Sequence, residues 1–357
     1  MGESRTPWSR PASRPRIARA GFPSSGRCNF VLEVEAMELR PIGQSGLSVS
    51  TVGLGGIELG PEVGEEPDVD RAVGVIEAAL EAGVNWLDTS ENYLDTSNEA
   101  LIGAALQRVD GEVLVATKVA PSAAITGGGT GFRRDQVHSA CRASLARLGR
   151  EQIDVYFLHW PDDTGVPLDE TWGAMAELVD DGLVRAIGLS NYELEEVERC
   201  HAQRPVDVVQ DGLSLIDYLD NRAAIARCGE LGIAAAIYEP LASGILTGKT
   251  LEQVLAVWDG VWVDSPFYRR LLAPNRADRS FAVADGIGPI AERLGATVAQ
   301  LAIAWVLHQP GVSAAIAGSR DGRHMDENAR ASTVDLADSL DELDQLIPLG
   351  PALADTG

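Results

Sequence analysis

Four side chains that can exchange protons stand at or just after the ends of three short apolar runs in this 357-residue chain. Asp88 and Tyr93 follow one run, Lys118 stands near the end of the next, and His159 near the end of a third. A carboxylate, a phenol, an ammonium and an imidazole can hold charge and transfer protons. If the runs are parallel strands, their carboxyl ends meet at one rim, where such a cluster is costly unless it serves a site. Singly, each residue has an ordinary explanation, such as solvation of a strand-end lysine.

The apolar runs that would position these side chains alternate with helix-like stretches. Several runs are apolar nearly throughout, as in AAAIYEP and DVYFLHW, which is typical of strands covered on both faces. The eight runs span residues 51–56, 85–90, 113–119, 153–160, 184–191, 206–214, 233–240 and 312–318. The intervening stretches carry apolar residues at i, i+3 and i+4, and three of them end at Gly83, Gly149 and Gly182.

Eight such units predict an α/β fold, a closed (β/α)8 TIM barrel. The alternative is an open doubly wound sheet, which would carry G-x-G-x-x-G in its first strand–helix turn, whereas this chain reads VGLGGIELG there. Residues 38–49 predict an N-terminal hairpin at the bottom of the barrel. Residues 241–285 predict a long loop after strand seven, of the kind that forms lids or binding loops.

The first 36 residues differ from the rest, because they hold six arginines and many prolines, serines and glycines without hydrophobic periodicity. We expect residues 1–36 to be a disordered N-terminal extension, possible as a transit peptide but better explained as sequence upstream of a start at Met37. Residues 37–357 are expected to form a single barrel domain.

The composition narrows the classes of partner. A net charge of -24 makes nucleic acid and anionic membranes poor partners, and the chain contains no apolar run of about 18 residues that would span a membrane. The four cysteines are scattered, which predicts neither a disulfide framework nor a metal site and favours a cytoplasmic location. The expected partner is a small molecule, and the oligomeric state stays open.

A family resemblance is carried by six segments in a fixed order. They read GVNWLDTSENYLDTSNEALIGAAL, VLVATKV, DVYFLHWPD, VRAIGLSNY, IYEPLASGILTGK and IAGSRDGRHMDEN. Together they resemble the aldo-keto reductase family over residues 37–330. The resemblance implies an oxidoreductase that reduces an aldehyde or ketone to an alcohol with NADP(H).

The resemblance assigns the family's catalytic tetrad to Asp88, Tyr93, Lys118 and His159. Tyr93 is then the proton donor, and the ammonium of Lys118, held by Asp88, would lower the pKa of this phenol from its ordinary value near 10. His159 would bind the substrate oxygen and share the alkoxide charge. The hydride would come from the nicotinamide, since no side chain supplies one.

The resemblance also implies a set of cofactor-binding residues. Those expected at the nicotinamide and along the pyrophosphate are Ser190, Asn191, Gln210, Tyr238, Leu241, Gly244 and Lys249. Those expected at the adenosine 2′-phosphate and adenine are Ser319, Arg320, His324, Glu327 and Asn328, with Arg323 and Arg330 in the same basic cluster around the start of the last helix. Arg320 favours NADP(H) over NAD(H), because a guanidinium suits a phosphate.

One departure concerns the cofactor. Glu239 stands where the family commonly has serine near the pyrophosphate, and a carboxylate there would repel it. The substrate pocket is expected to use Ile57, Trp160, the loop at 122–131 and the insertion at 258–270, whose Trp258 and Trp262 suit an apolar or flat substrate or simply pack the insertion.

Two other functions stay open. The first is a non-enzymatic, cofactor-sensing regulatory subunit on the same fold. The second is an unrelated barrel lyase or isomerase that forms a Schiff base on Lys118, although a lysine paired with Asp88 is a poor nucleophile.

Overall fold

The computed structural model describes residues 37–61, 65–122, 128–258, 271, 276–336 and 338–347. Eight parallel strands close into a barrel in the order β10-β3-β4-β5-β6-β7-β8-β9, and a separate antiparallel pair, β1–β2, precedes it. The strands are β1 (Leu39–Pro41), β2 (Ser48–Ser50), β3 (Val52–Gly55), β4 (Trp86–Asp88), β5 (Leu114–Val119), β6 (Ile153–Leu158), β7 (Val184–Ser190), β8 (Val208–Gly212), β9 (Ala234–Tyr238) and β10 (Val312–Gly318). The predicted (β/α)8 TIM barrel is confirmed.

Helices on the outside of the barrel cover the strands. They are α1 (Val69–Glu81), α2 (Ser97–Leu106), α3 (Arg134–Leu148), α4 (Leu168–Asp180), α5 (Leu194–Gln203), α6 (Asn221–Glu230), α7 (Leu251–Trp258), α8 (Ala277–Arg293), α9 (Val298–Leu307), α10 (Gly322–Ala329) and α11 (Leu340–Leu346). The three glycines expected to stop helices, Gly83, Gly149 and Gly182, all adopt positive φ values. The backbone amide of Gly149 caps the end of α3 directly.

Two groups of buried apolar side chains make the core. The larger one joins the outward faces of the strands to the helices, with Trp172, Tyr156 and Trp305 among its largest buried side chains. The smaller one fills the barrel interior and includes Ile42 and Leu47 of the hairpin. The hairpin therefore closes the amino-terminal end of the barrel, which leaves the carboxyl ends of the strands for a site.

The long segment after β9 is more helical than predicted. It contains a 3-10 turn at Ala242–Thr247, then α7, and α8 already begins at Ala277, so the boundary of the predicted loop at residue 285 is wrong. Buried Ser280, Val283, Ala284 and Ile287 recur at helical spacing, and packing this stripe against the core favours a helix there.

Several predictions lie outside the described residues. These are the N-terminal extension, Cys28, residues 123–127 of the loop at 122–131, and the insertion at 259–270 with Trp262; the side chain of Trp258 is also outside. In the described part of the chain, Cys141, Cys200 and Cys228 are buried and free. There, too, no three His, Cys, Asp or Glu side chains are grouped to hold a metal ion.

No single helix in the described ranges is long and apolar enough to cross a membrane. One pair, α8 with α9, reaches the required length and composition, but the two helices are bent by 92° at their junction. The α9 half of this pair is buried in the core cluster.

Candidate active site

Lys118 lies at the centre of a polar cluster at the carboxyl ends of β4 and β5. Its Nζ atom donates to Asp88 Oδ2 at 2.6 Å and to the carbonyl of Thr89 at 2.8 Å, and it lies 3.4 Å from Tyr93 Oη. The lysine is fully buried, and Asp88 is 4% exposed. Gln210 donates to the other carboxylate oxygen, Oδ1, at 2.8 Å. Because both oxygens of Asp88 are engaged, the carboxylate fixes where the amine points.

Two effects of opposite sign act on the pKa of Lys118. Burial lowers the pKa of Lys118 from its ordinary value, and the charge and hydrogen bond of Asp88 oppose that lowering. The amine therefore gives up a proton more readily than a solvated lysine would, while the ion pair keeps it beside the phenol of Tyr93.

His159 also lies beside the phenol of Tyr93. Its ring centroid is 5.7 Å from that of Tyr93, and its ring stacks on Trp160 with centroids 3.4 Å apart. Burial, reinforced by the charge of Lys118, lowers the pKa of His159 well below 6.5. The imidazole is therefore neutral at physiological pH and carries a single N–H.

The turn that carries Tyr93 is held by buried polar contacts. Thr89 Oγ1 donates to Asn98 Oδ1 at 2.6 Å, and Asn98 Nδ2 donates to the carbonyl of Gly56 at 2.9 Å. The turn needs such support, because three consecutive residues, 94–96, adopt positive φ values of 52°, 50° and 72°. Glu91 adds a second anchor and accepts from the backbone amides of Ala120 and Thr130 at 2.9 and 3.0 Å.

A second polar group lies at the ends of β7, β8 and β9. Asn191 donates to the carbonyl of His159 and to Ser190 Oγ, both at 3.0 Å, and its Oδ1 accepts from Tyr238 Oη at 2.6 Å. Asn191 adopts a φ of 66°, a left-handed conformation that asparagine tolerates.

Hydrogen-bonding capacity in this group suits a carboxamide. Gln210 donates to a carboxylate, so its Nε2 is assigned and its Oε1 remains an acceptor. Ser190 accepts from Asn191, and no described residue accepts its hydroxyl proton. A carboxamide offers one NH2 and one C=O, which is the complement of this acceptor and this donor. The residues present therefore fit the amide end of a nicotinamide.

A cleft of about 270 Å³ joins the two polar groups. Its lining includes three residues of the predicted tetrad, Asp88, Tyr93 and His159, while Lys118 is buried behind them. The lining also includes Ser190, Asn191, Gln210, Tyr238, Ile57, Trp160, Glu58, Glu239 and Gly318. A Cβ on Gly318 would collide with the carboxylate of Glu58, and a Cβ on Gly56 would lie 2.6 Å from the carbonyl oxygen of Asp88. Glycine at these positions therefore keeps the strand ends open.

The remaining predicted cofactor residues follow two neighbouring strands. Leu241 and Gly244 come directly after β9, and Ser319 and Arg320 directly after β10, which pairs with β9. The charge of Arg320 reaches the carboxyl group of Glu58 at the cleft. Lys249 and His324 are exposed, Glu327 is part-buried, and Asn328 is 5% exposed in α10.

The predicted basic cluster is only partly formed. Arg330 follows the end of α10 and pairs with Asp326 at 2.7 Å, so the prediction that it lies at the start of the helix is wrong. Arg323 pairs with Asp321, whose carboxylate caps the helix. Nor is this helix the last one, since α11 follows. Arg320, which directly follows β10, acts by its charge on Glu58 in the cleft lining.

Comparison with known proteins agrees with this geometry. A family model described as "Aldo/keto reductase family" matches residues 51–347, which include the whole barrel. The chain belongs to the aldo/keto reductase family. It is thus a member of an oxidoreductase family whose enzymes generally use a nicotinamide cofactor, and the resemblance stated from the six segments is confirmed.

Individual relatives match this aldo/keto reductase along most of their length. "Probable aldo-keto reductase 1" of Glycine max is 32% identical over 325 residues, which cover 88% of this chain and 90% of that protein. The solved glycerol dehydrogenase AKR11B4 of Gluconobacter oxydans has a TM-score of 0.76 at 27% identity and covers 88% of this chain and 98% of its own. The thermostable aldo-keto reductase Tm1743, solved with the inhibitor epalrestat, has a TM-score of 0.68 at 28% identity, covering 87% and 100%.

Three residues of this aldo/keto reductase's site did not emerge from the sequence. Ser90 contacts His159, Asn92 contacts Ser90, and Glu58 lines the cleft opposite Gly318. The first two stand inside the segment DTSENY, where their polar character beside Asp88 was a visible signal. Glu58 had no comparable signal, because its place at the cleft depends on pairing between β3 and β10.

Proposed function

We propose that this aldo/keto reductase reduces the carbonyl group of an aldehyde or ketone to an alcohol with NADP(H) as cofactor and Tyr93 as the proton donor. The observation that carries the proposal is the convergence of Tyr93, Lys118 and His159. The phenol oxygen lies 3.4 Å from a buried amine, beside a neutral imidazole, at the wall of a cleft. These are the groups that a developing alkoxide requires.

Tyr93 delivers its phenolic proton to the substrate oxygen. The amine of Lys118 stabilises the resulting phenolate by charge and by hydrogen bonding, and Asp88 and the carbonyl of Thr89 hold the amine in place. His159 donates a hydrogen bond to the same substrate oxygen and shares its developing charge. Trp160, stacked on the imidazole, keeps the ring plane fixed.

The residues that would hold the cofactor lie along the rim formed by β7 to β10. When bound, its nicotinamide supplies the hydride. Ser190 and Gln210 hold the carboxamide, Tyr238 presents its ring to the nicotinamide, and Asn191 links Tyr238 to Ser190. The loop with Leu241, Gly244 and Lys249 takes the pyrophosphate. Ser319, Arg320 and His324 would hold the adenosine 2′-phosphate, and Glu327 and Asn328 the adenine. The guanidinium of Arg320 favours NADP(H) over NAD(H).

We further propose a small-molecule carbonyl substrate, no nucleic-acid or membrane partner, and a cytoplasmic location. Free buried thiols at Cys141, Cys200 and Cys228 support a reducing compartment. The net charge of -24 supports the partner assignment.

The test is Tyr93→Phe, which removes one oxygen and keeps the ring. We expect turnover of a panel of aldehydes and ketones to fall about 1000-fold, since a general acid contributes on the order of 10² to 10⁴ in rate. Binding of NADPH, followed by quenching of intrinsic fluorescence, should stay unchanged.

The matched control is Tyr156→Phe, because Tyr156 belongs to the helix-facing core and lies outside the cleft lining. It should keep wild-type turnover. Retention of most activity by Tyr93→Phe would eliminate Tyr93 as the proton donor. Tight NADPH binding without turnover of any carbonyl by the wild type would instead favour a cofactor-sensing role.

A further inference from the structure

Ser90 links His159 to Asn92 at the wall of the cleft. Ser90 Oγ lies 2.9 Å from His159 Nδ1 and 2.7 Å from the atom assigned as Asn92 Oδ1. Ser90 is fully buried and His159 is 4% exposed, so solvent does not compete for the contact between them, whereas Asn92 is half-buried and lines the cleft. The three side chains form a chain of hydrogen bonds that ends at the imidazole.

The hydroxyl proton of Ser90 has three acceptors within reach, of which the carbonyl oxygen of Lys118, at 3.5 Å, is the most distant and the weakest. The two shorter contacts permit two arrangements of this chain. If Ser90 donates to Asn92, then His159 Nδ1–H must donate to Ser90, and Nε2 carries no proton. If Ser90 donates to His159 Nδ1, then Nε2 carries the proton, and Asn92 must donate to Ser90. The two arrangements differ in which side of the imidazole can donate a hydrogen bond.

The amide of Asn92 decides between them. As oriented, its Nδ2 atom is buried and has no hydrogen-bond partner among the described residues. The oxygen and nitrogen of an amide exchange places on rotation by 180°, and the hydrogen-bond network assigns them. After rotation, Nδ2 lies where Oδ1 was and donates to Ser90 Oγ. One N–H of Asn92 then gains a partner, and the position without a partner holds an oxygen in place of an NH2 group. The exchange is favourable because, as for backbone groups, unpaired buried N–H groups are rarer in folded proteins than under-satisfied C=O groups.

We propose that Ser90 and Asn92 are positioning residues that hold His159 in the tautomer with its proton on Nε2. No described residue forms a hydrogen bond with Nε2, and His159 lines the cleft with Tyr93. The inference rests on the proposed function, because only an Nε2–H can donate to a carbonyl oxygen in that cleft. Without this relay, a neutral imidazole divides between two tautomers, of which one presents a bare nitrogen to the substrate.

The decisive variant is Asn92→Asp, which keeps the shape and can only accept hydrogen bonds when ionised. The carboxylate introduced by this substitution obliges Ser90 to donate to it, which moves the proton of His159 from Nε2 to Nδ1. We expect the ¹⁵N NMR signals of His159, in protein with labelled histidine at pH 8, to change from the Nε2–H to the Nδ1–H pattern. A His159→Gln spectrum identifies its signals among the five histidines.

Carbonyl reduction should depend on which nitrogen of His159 carries the proton. We expect Asn92→Asp to lower kcat about 100-fold, the usual cost of one donor to a developing oxyanion. Because Asn92 lines the cleft, the added carboxylate also weakens NADPH binding, so kcat is measured at saturating NADPH. Ser90→Ala should give mixed His159 tautomers and lower kcat, and Ser90→Thr, which keeps the hydroxyl, should restore both. A wild-type Nδ1–H signal, unaltered by Asn92→Asp, would overturn the inference.

The NMR measurement needs neither substrate nor cofactor, so it separates this inference from the proposed function. A wild type that reduces no carbonyl, yet shows the tautomer change in Asn92→Asp, would refute the function and leave the relay standing. A wild type that is active, with His159 in the same tautomer in all variants, would refute the relay alone.

Discussion

Glu58 and Glu239 put two carboxyl groups in the lining of a cleft that we propose for a cofactor with negatively charged phosphates. Glu239 accepts a hydrogen bond from Ser243 at 2.6 Å and stays at the cleft, with a φ of 58°. Burial and the charge of Glu239 raise the pKa of Glu58 to about 7, and Arg320 opposes the rise. Glu239, which stands where the family commonly has serine, therefore forms an acidic pair with Glu58.

This pair predicts that NADPH binding depends on pH. Below pH 7, Glu58 is mostly neutral, and above it the group ionises and repels phosphates, so NADPH affinity should fall between pH 6 and 8. At pH 8, Glu58→Gln should bind NADPH about tenfold more tightly than the wild type, since one pKa unit corresponds to a factor of ten. Fluorescence titration at several pH values measures both.

Glu58→Gln also controls for titration of the nucleotide itself, because the ionisation of NADPH affects its binding to the wild type and to the variant equally.

The free energy of unfolding should change with pH in the same direction as NADPH affinity. Because the pKa of Glu58 is about 7 in the folded protein and 4.5 in the unfolded chain, the contribution of Glu58 to stability is lost as pH rises from about 4.5 to 7. Parallel pH profiles for the two proteins would contradict this account of Glu58.

At the scale of elements, the site depends on polar contacts that join loops from different βα units. The turn after β4 carries Tyr93, and the loop after β5 is tied to it by Glu91, which is 3% exposed. Besides the two backbone amides, Glu91 accepts from Thr130 Oγ1 at 2.9 Å. Two of the three donors to Glu91 are backbone amides, and the contact with Ala120 is buried, so removal of the carboxyl group leaves a buried N–H without an acceptor.

Glu91→Leu, which has no acceptor for these amides, should therefore destabilise the protein by at least about 1–3 kcal/mol, the usual cost of an unpaired buried polar group. Urea unfolding followed by circular dichroism measures this. The matched control, Glu112→Leu, changes an exposed glutamate and should alter the free energy of unfolding by less than about 0.5 kcal/mol. Equal stability of the two variants would show that Glu91 does not anchor the loop.

At the scale of the whole molecule, a net charge of -24 opposes a phosphorylated cofactor at long range, so local positive charge has to compensate. The basic residues near the start of α10 do so unequally, since Arg323 and Arg330 are engaged by Asp321 and Asp326. Arg320 is part-buried, and its charge is felt at the cleft. The preference for NADPH is thus expected to depend on one residue.

Arg320→Gln should weaken NADPH binding about 10- to 100-fold and NADH binding much less, because only NADPH has the 2′-phosphate that a guanidinium binds. Arg323→Gln serves as the control, since that side chain is 88% exposed and paired with Asp321, and it should change neither affinity. Equal losses of affinity for NADPH and NADH in Arg320→Gln would show that other residues determine the preference for NADPH.

The sequence by itself determined the alternation of buried strands and amphipathic helices, and therefore the barrel. It also placed Asp88, Lys118 and His159 at strand ends, because parallel strands in a closed barrel end at one rim whatever their order. The hairpin followed from local pattern as well. Local signals sufficed for these features because each depends on residues close together in the chain or on a symmetry of the fold.

Only the tertiary structure decided which of these side chains touch. Gln210 and Asp88 are 122 residues apart in the chain and 2.8 Å apart in space, and Ser90 and His159 are 69 residues apart. Glu58 reaches the cleft because β3 pairs with β10 in a register that places Gly55 beside Gly318. Arg323 and Arg330, basic in sequence, are neutralised by neighbouring carboxylates. Register and side-chain pairing follow from packing over the whole barrel, which no local pattern encodes.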